Sequence, residues 1–546
     1  MDRNRILHAT RFPWIFVEGE KLTVTLRMGK EKDTFIEVAY CDPCDFICNE
    51  EKIPAFRYKN MVQVFEDRDY TYFRAEINME SHKLRYQFRI QCDGEECWLS
   101  ENGVTAEAKE DDIRPFLIPY TYEHEQCKRP DWTADMNWYQ IFPDRFSREK
   151  DDEAEQFYPE RENFYGGTLK GIQKKIPYLK ELGVNGIYLN PVFASMSNHR
   201  YDTMDYLTVD RKLGSREDLK ELVSKCHQNG IRIMLDGVYN HCGYDSSIWQ
   251  DVLKNGKKSK YYNWFFIYDQ KALQAEDCRN LSSERMKKIP PYEAFAFAAN
   301  MPKWNTANKE VQAYLIGSAE YWTRYLKVDA WRLDVPDEVD KGFLREFYRR
   351  IKEINPEIYI IGEIWQDADR WFEDRIFDGV MDYPFYFAVR DFFLRGAINA
   401  YDFCDRITRH TLLLPQKVQL NNFHFLSNHD LPRALTVAGE NKEALKNAYL
   451  FLTLFGGSVS VYYGDEAGLD GKNDPDCRRV YPWNTPDSEL LEEFRTMLNG
   501  RAAYSEKQLK PLNDMQIMLR LKERDKWMEY VFQQGGKLVS VCEDKV

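Results

Sequence analysis

Between residues 137 and 485, short apolar runs alternate with amphipathic stretches, and this alternation limits the possible folds more than any other feature of the chain. Asn137-Trp-Tyr-Gln-Ile-Phe142, Gly186-Ile-Tyr-Leu-Asn190, Ile231-Arg-Ile-Met-Leu-Asp236, residues 328–333 and Tyr359-Ile-Ile-Gly-Glu363 are five such runs. Three more end near Met381, Ser427 and Tyr463. Helical periods lie between them, among them 169–182, 216–229, 309–326 and 341–354. A strand buried on both faces reads as a short continuous apolar run, and strand–helix repetition specifies a parallel sheet. Eight units are the number that closes a barrel. The expected fold class is α/β, a (β/α)8 TIM barrel over residues 130–500.

The flanks read differently. Residues 1–125 carry runs such as Lys21-Leu-Thr-Val-Thr-Leu-Arg27 and Leu84-Arg-Tyr-Gln-Phe-Arg-Ile90, alternating apolar and polar as half-buried strands do, so an N-terminal β-sandwich is expected. The barrel rhythm halts after His241. Residues 242–302 are irregular, aromatic and charged, which marks a small inserted subdomain after the third strand. A short C-terminal β domain is expected over 501–546.

Charge and composition exclude some functions. A net charge of −13 argues against nucleic acid or an anionic membrane surface as partner. No window reaches the ~18 unbroken apolar residues of a membrane span; the nearest, 448–463, is broken by Gly456-Gly457. The opening Met1-Asp-Arg-Asn-Arg-Ile6 has charges but no apolar run behind them, so no signal peptide is expected. Twelve scattered cysteines suit free thiols in a reducing cytoplasm. Cys41, Cys44, Cys48, Cys92 and Cys97 are irregularly spaced among aromatic and apolar residues, and no zinc site is expected of them.

Several of the barrel runs end in an acid, and such barrels carry catalysis at the C-terminal ends of their strands. Arg332 and Asp334 are two apart on one strand, so both side chains leave the same face. A guanidinium there is expected to keep the carboxylate ionised. Glu363 lies beside Trp365 and apolar strand residues, surroundings that tend to raise a carboxyl pKa and suit a general acid. Asp430, in Ser427-Asn-His-Asp430, is a third acid.

These segments resemble a known family. Asp236-Gly-Val-Tyr-Asn-His241, Trp331-Arg-Leu-Asp334, Gly362-Glu-Ile-Trp365 and Ser427-Asn-His-Asp430 look like the four signature segments of the α-amylase superfamily, glycoside hydrolase family 13, in order. Met301-Pro-Lys-Trp-Asn-Thr306, Phe164-Tyr-Gly-Gly167, Tyr462-Tyr-Gly-Asp-Glu466 and Asn473-Asp-Pro-Asp-Cys-Arg-Arg479 further resemble its cyclomaltodextrinase, neopullulanase and maltogenic amylase branch. The resemblance implies a retaining hydrolase of α-glucans. That chemistry needs a nucleophilic carboxylate and a protonated carboxyl about 5–5.5 Å apart. Asp334 would be the nucleophile, Glu363 the acid/base and Asp430 the transition-state stabiliser. His199, Tyr201, His241, Arg332 and His429 would surround the sugar at the cleavage point, with Asp474 and Arg478 holding the next sugar on the non-reducing side. Asp236 would orient Arg332. No cofactor is implied, and a homodimer through the N-terminal domain is. A transglycosylase or an α-1,6-cleaving relative would use the same three acids, whereas the other alternative, a non-catalytic amylase-like binding protein, typically lacks one or more of them.

The sequence departs from that branch in places. Ser147-Arg-Glu-Lys-Asp-Asp152 stands where relatives carry a calcium loop, and Thr168 follows Gly167 where they have Asp. Arg148 and Lys150 put positive charge where oxygen ligands are needed, so no metal is expected. Asp337-Glu338 and Gln366 depart from the usual residues on the leaving-group side.

Overall fold

The structure, a computed structural model, describes residues 1–48, 53–106, 114–122, 129–150, 160, 162–275, 278–502, 504, 506–524 and 526–544. At its centre a closed parallel barrel runs β1 (Asn137–Ile141), β2 (Gly186–Leu189), β3 (Arg232–Gly237), β4 (Ala330–Leu333), β5 (Tyr359–Ile364), β6 (Gly379–Asp382), β7 (Phe423–Phe425) and β8 (Ser458–Tyr462), and β8 pairs with β1. The fold class is the one the alternation predicts. Nearly every residue of these strands is buried, which is why they read as apolar runs rather than alternating ones. Trp138, Tyr188, Tyr359 and Phe423 fill the barrel, with Trp138 stacked on Tyr359 at 6.3 Å. Gly186 leaves room for this packing: a Cβ there would lie 2.6 Å from the Trp138 ring.

The barrel helices begin where polar side chains satisfy their first N–H groups. Asn308 caps Lys309–Leu326, Asp340 caps Lys341–Ile354, and Ser215 with Asp218 forms a capping box on Arg216–Gln228. One expected helix divides. Residues 169–182 form Leu169–Lys174 and Ile176–Leu182, with Lys175 between them. Pro177 is responsible: it has no N–H to offer the carbonyl four residues back, and its ring crowds that turn.

The N-terminal residues form two antiparallel sheets. One orders Ile15–Glu18, Lys21–Gly29, Tyr70–Asn78 and Val62–Glu66; the other runs Gly103–Thr105, Glu95–Ser100, Leu84–Cys92, Phe35–Cys41 and Arg57–Asn60. Leu22, Val24 and Leu26 share a core with Ile36, Val38, Phe88 and Ile90. This unit rests on the segment after β6 through Arg68 on Asp402 at 2.8 Å and Arg409 on Asp67 at 3.0 Å.

The insertion after β3 is not wholly irregular. It holds the short helices Ser247–Asn255, Gln270–Ala275 and Ser283–Lys288 around buried Trp249, Tyr292 and Trp304. At the C-terminus Glu506–Asn513, Gln516–Glu523, Lys526–Gln533 and Lys537–Asp544 make a four-stranded antiparallel sheet. Phe532 anchors it against Phe393 of the barrel's outer layer, ring centres 5.4 Å apart.

Candidate active site

A cavity of about 470 Å³ opens at the C-terminal ends of the barrel strands. Nine of the ten residues singled out in the sequence line it: Asp334, Glu363, Asp430, His199, Tyr201, His241, His429, Asp474 and Arg478. The tenth, Arg332, is fully buried and carries the acids from beneath. Its Nη1 donates to Asp334 Oδ1 at 2.7 Å and to Asp236 Oδ1 at 2.8 Å. Its Nη2 lies 2.7 Å from Glu363 Oε2, an ion-pair contact without hydrogen-bond alignment. One planar fork therefore spans Asp334 and Glu363, which keeps the two carboxyls close together.

The electrostatics differ from the expectation for Asp334. Burial pushes its carboxyl up, Arg332 pulls it down, and Glu363 and Asp236 push it up again, for a net rise well above the usual aspartate value. Burial is the largest cause, and the one guanidinium that opposes it is shared among three carboxylates. Asp430 goes the other way. Burial raises it, but His429 beside it, then Arg478 and Arg332, hold the carboxyl well below its usual range. His429 Nε2 lies 3.0 Å from Asp430 Oδ2, and Arg478 Nη2 donates to Oδ1 at 3.3 Å.

The strand ends aim these groups. Val335, directly after Asp334, takes a left-handed φ of 43°, costly for a β-branched residue and found where the surrounding structure enforces it. The turn brings the Val335 N–H to Glu363 Oε2 at 3.2 Å. Trp365 Nε1 donates to the other oxygen at 3.1 Å, and the Tyr383 hydroxyl lies 3.5 Å from that oxygen. Trp365 stacks on Tyr383 at 3.9 Å.

The neutral ring groups are oriented too. Tyr201 lies parallel to His429 at 5.0 Å, and its hydroxyl donates to Asp236 at 2.8 Å. The Tyr201 N–H donates to His199 Nδ1 at 3.1 Å, which leaves the proton on Nε2 for a ligand. Burial pushes both His199 and His241 down to about 3, so both are neutral donors near pH 7. His241 spends its Nε2 on the Tyr201 carbonyl at 3.1 Å and lies flat on Phe295 at 4.7 Å. Arg478 Nη1 meets Asp474 Oδ1 at 2.8 Å.

Reading the sequence by motif did not single out Phe295, Tyr383 or Val335. Phe295 comes from the inserted segment and had no periodic signal. Tyr383 follows the acid that ends β6, the same strand-end position that marks Glu363, and could have been found that way.

Oxygens beside residues 147–150 and at Asn240 meet cations of the chain. Arg148 Nε donates to the Tyr165 carbonyl at 2.6 Å, and Lys174 Nζ to the Glu149 carbonyl. Lys303 Nζ donates to Asn240 Oδ1 at 2.5 Å and to Glu338 Oε2 at 2.8 Å. Such surroundings do not fit calcium. Asp151 and Asp152 lie outside the described residues. In the N-terminal sheets Cys41 Sγ accepts from Arg85 and Cys44 Sγ from Lys83, both cationic neighbours.

Comparison with known proteins gives a consistent picture. Residues 140–529 match the model of the alpha amylase catalytic domain, and residues 1–122 that of the alpha amylase N-terminal ig-like domain. The chain is 38% identical over 497 residues to a cyclomaltodextrinase of Geobacillus thermopakistaniensis (strain MAS1), covering 89% of this chain and 82% of that one. It is 36% identical over 515 residues to a maltogenic alpha-amylase of Bacillus acidopullulyticus, covering 92% and 85%. A solved cyclomaltodextrinase superimposes with a TM-score of 0.87 at 33% identity, over 98% of this chain and 91% of that one.

Proposed function

The chain belongs to the α-amylase family of glycoside hydrolases, and from that premise we propose that it cleaves α-1,4-glucosidic bonds of maltooligosaccharides, cyclodextrins or pullulan with retention. Asp334 is the nucleophile, Glu363 the acid/base, and Asp430 the anion that stabilises the oxocarbenium-like transition state. The observation that supports this most is Arg332 spanning Asp334 and Glu363 at the floor of the cavity.

Of the two carboxyls that share the guanidinium, Asp334 accepts the aligned hydrogen bond and is the one to carry charge. Glu363 carries the proton. In the first step the Asp334 oxygen bonds to the anomeric carbon while Glu363 protonates the departing glycosidic oxygen. In the second, Glu363 takes a proton from water, which displaces Asp334. Because the acid must reach the departing oxygen, Trp365, bonded to Glu363, lies on the leaving-group side and offers that sugar a stacking face. Asp474 and Arg478 hold the sugar on the opposite side, and Tyr201 stacks beneath the one being cleaved.

The working unit in this reading is a homodimer in the cytoplasm. Leu117, Tyr120 and Tyr122 of the N-terminal unit are exposed, with the two tyrosine rings 4.9 Å apart, which supports a partner surface there. Ten cysteines among the described residues are free thiols, which supports a reducing compartment. No helix among the described residues is long and apolar enough to cross a membrane.

A product profile on maltotriose, β-cyclodextrin and pullulan tests the function. Maltose and glucose from the first two, with panose from pullulan, uphold α-1,4 cleavage. Maltotriose from pullulan would make the enzyme α-1,6-specific instead.

A further inference from the structure

The segment that carries the N-terminal unit contains a turn of π-helix, Thr408–Leu412. A π turn takes in one extra residue and turns side chains out of helical register, and such turns gather at functional sites. Here two consecutive residues serve different neighbours. Arg409 reaches outward to Asp67. His410 turns inward, and both of its ring nitrogens meet carboxylates: Nε2 donates to Asp382 Oδ1 at 2.7 Å and Nδ1 to Asp367 Oδ1 at 3.0 Å.

The two acids come from different barrel units, one from a strand end and one from a loop. Asp382 ends β6 and is fully buried; it also accepts from the Phe385 N–H and Asn422 Nδ2, each at 3.1 Å, and lies 3.4 Å from His424 Nε2. Asp367 is 80% exposed, on the loop after β5, four residues past Glu363 and two past Trp365. Burial would neutralise the imidazole, but Asp382 and Asp367 outweigh it and raise His410 to about 10. Asp369, the first residue of the short helix Asp369–Glu373, is pushed up to about 6 chiefly by burial and faces the cluster, with Arg11 and Glu373 beyond it.

We propose that His410 is a positioning residue for the leaving-group half of the site: its imidazolium straps the Trp365 loop to the end of β6. Tyr383, next to Asp382, supports the same indole from below and accepts from Asn428 Nδ2 at 3.0 Å. The strap and the stack are thus two supports under one ring, and that ring bonds the Glu363 carboxyl. Loosening the strap frees Trp365, and with it the orientation of the acid and of the sugar it protonates. This inference rests on the assignment of Glu363 as acid/base.

Asp367→Asn tests it, since an exposed carboxylate can be neutralised without disturbing the core. Two substrates are compared: maltotriose, whose departing sugar needs both protonation and the stacking face, and 4-nitrophenyl α-maltoside, whose phenolate needs little protonation. The ratio of kcat/KM on maltotriose to that on the aryl maltoside is expected to fall roughly 10-fold, with Asp367→Glu recovering most of the loss. An unchanged ratio, or equal losses on both substrates, overturns the strap. Glu363→Gln run in parallel separates the two claims. A larger loss on maltotriose than on the aryl maltoside upholds Glu363 as acid/base, so that an unchanged ratio in Asp367→Asn overturns only the strap; equal losses in Glu363→Gln, or retained activity, overturn both.

Discussion

Arg332 donates to Asp334 across 2.7 Å from a position with no solvent exposure. The same nitrogen donates to Asp236, so Asp334 shares its cation with a carboxylate that is not among the residues lining the cavity.

Burial, together with that sharing, sets the acid limb of activity. Asp334 must be ionised to attack, and its carboxyl is raised by burial and by Glu363 and Asp236 against the pull of Arg332. kcat/KM therefore falls as pH drops through a value above the ~3.9 of a free aspartate. Asp236→Asn removes one of the charges that raise Asp334 and leaves more of Arg332 to it. The acid limb is expected to move down by roughly one pH unit, measured with an aryl maltoside; a limb that stays or moves up contradicts this.

The proposed mechanism has Asp334 and Glu363 acting on opposite faces of the sugar, and azide can report which face is open. Glu363→Gln should lose roughly 10²–10⁴-fold on maltotriose, and added azide should then yield the α-glycosyl azide by attacking the covalent intermediate. In an Asp334 variant trimmed to Gly, azide takes the nucleophile's place and yields the β-glycosyl azide. NMR of the products assigns each anomer, and a swapped pair would reverse the roles.

Asp474 is half-buried at the cavity and tied to Arg478 at 2.8 Å. In the proposed reading it grips a sugar in ground state and transition state alike, so Asp474→Ala should raise KM for maltotriose roughly 10-fold with kcat little changed. Steady-state kinetics that show a drop in kcat at constant KM would place Asp474 closer to the chemistry.

His410 also leaves a signature in stability. Its folded pKa is raised from 6.5 to about 10, so the stability it contributes is fully present below 6.5 and is lost as pH rises through about 10. The Tm difference between wild type and His410→Gln should be widest near pH 6 and close above pH 10. A difference constant across that range would mean that the imidazole is held by packing alone.

The sequence disclosed the barrel because each of its strands is covered on both faces, leaving apolar runs that stand out from amphipathic helices. Asp334, Glu363 and Asp430 were legible because strand ends in such a barrel all point at one mouth. The ionisation of Asp334 was less legible, since two-residue spacing brings Arg332 beside it but does not reveal that Asp236 and Glu363 draw on the same guanidinium. His410 was invisible for a related reason. It is a lone histidine with no motif around it, and only the π turn and the meeting of a strand end with a distant loop give it partners. Val335 gave no signal at all, because its left-handed turn is imposed by the strands around it.

The account stands on a covalent bond between Asp334 and the sugar. Incubating Glu363→Gln with a 5-fluoro-α-glucosyl fluoride, which forms that bond faster than water can break it, and mapping the peptides by mass spectrometry tests this directly. The account predicts one added fluoroglucosyl group, on the peptide containing Asp334 and on that residue. An adduct on another residue, or full turnover with inverted product and no adduct, would contradict it.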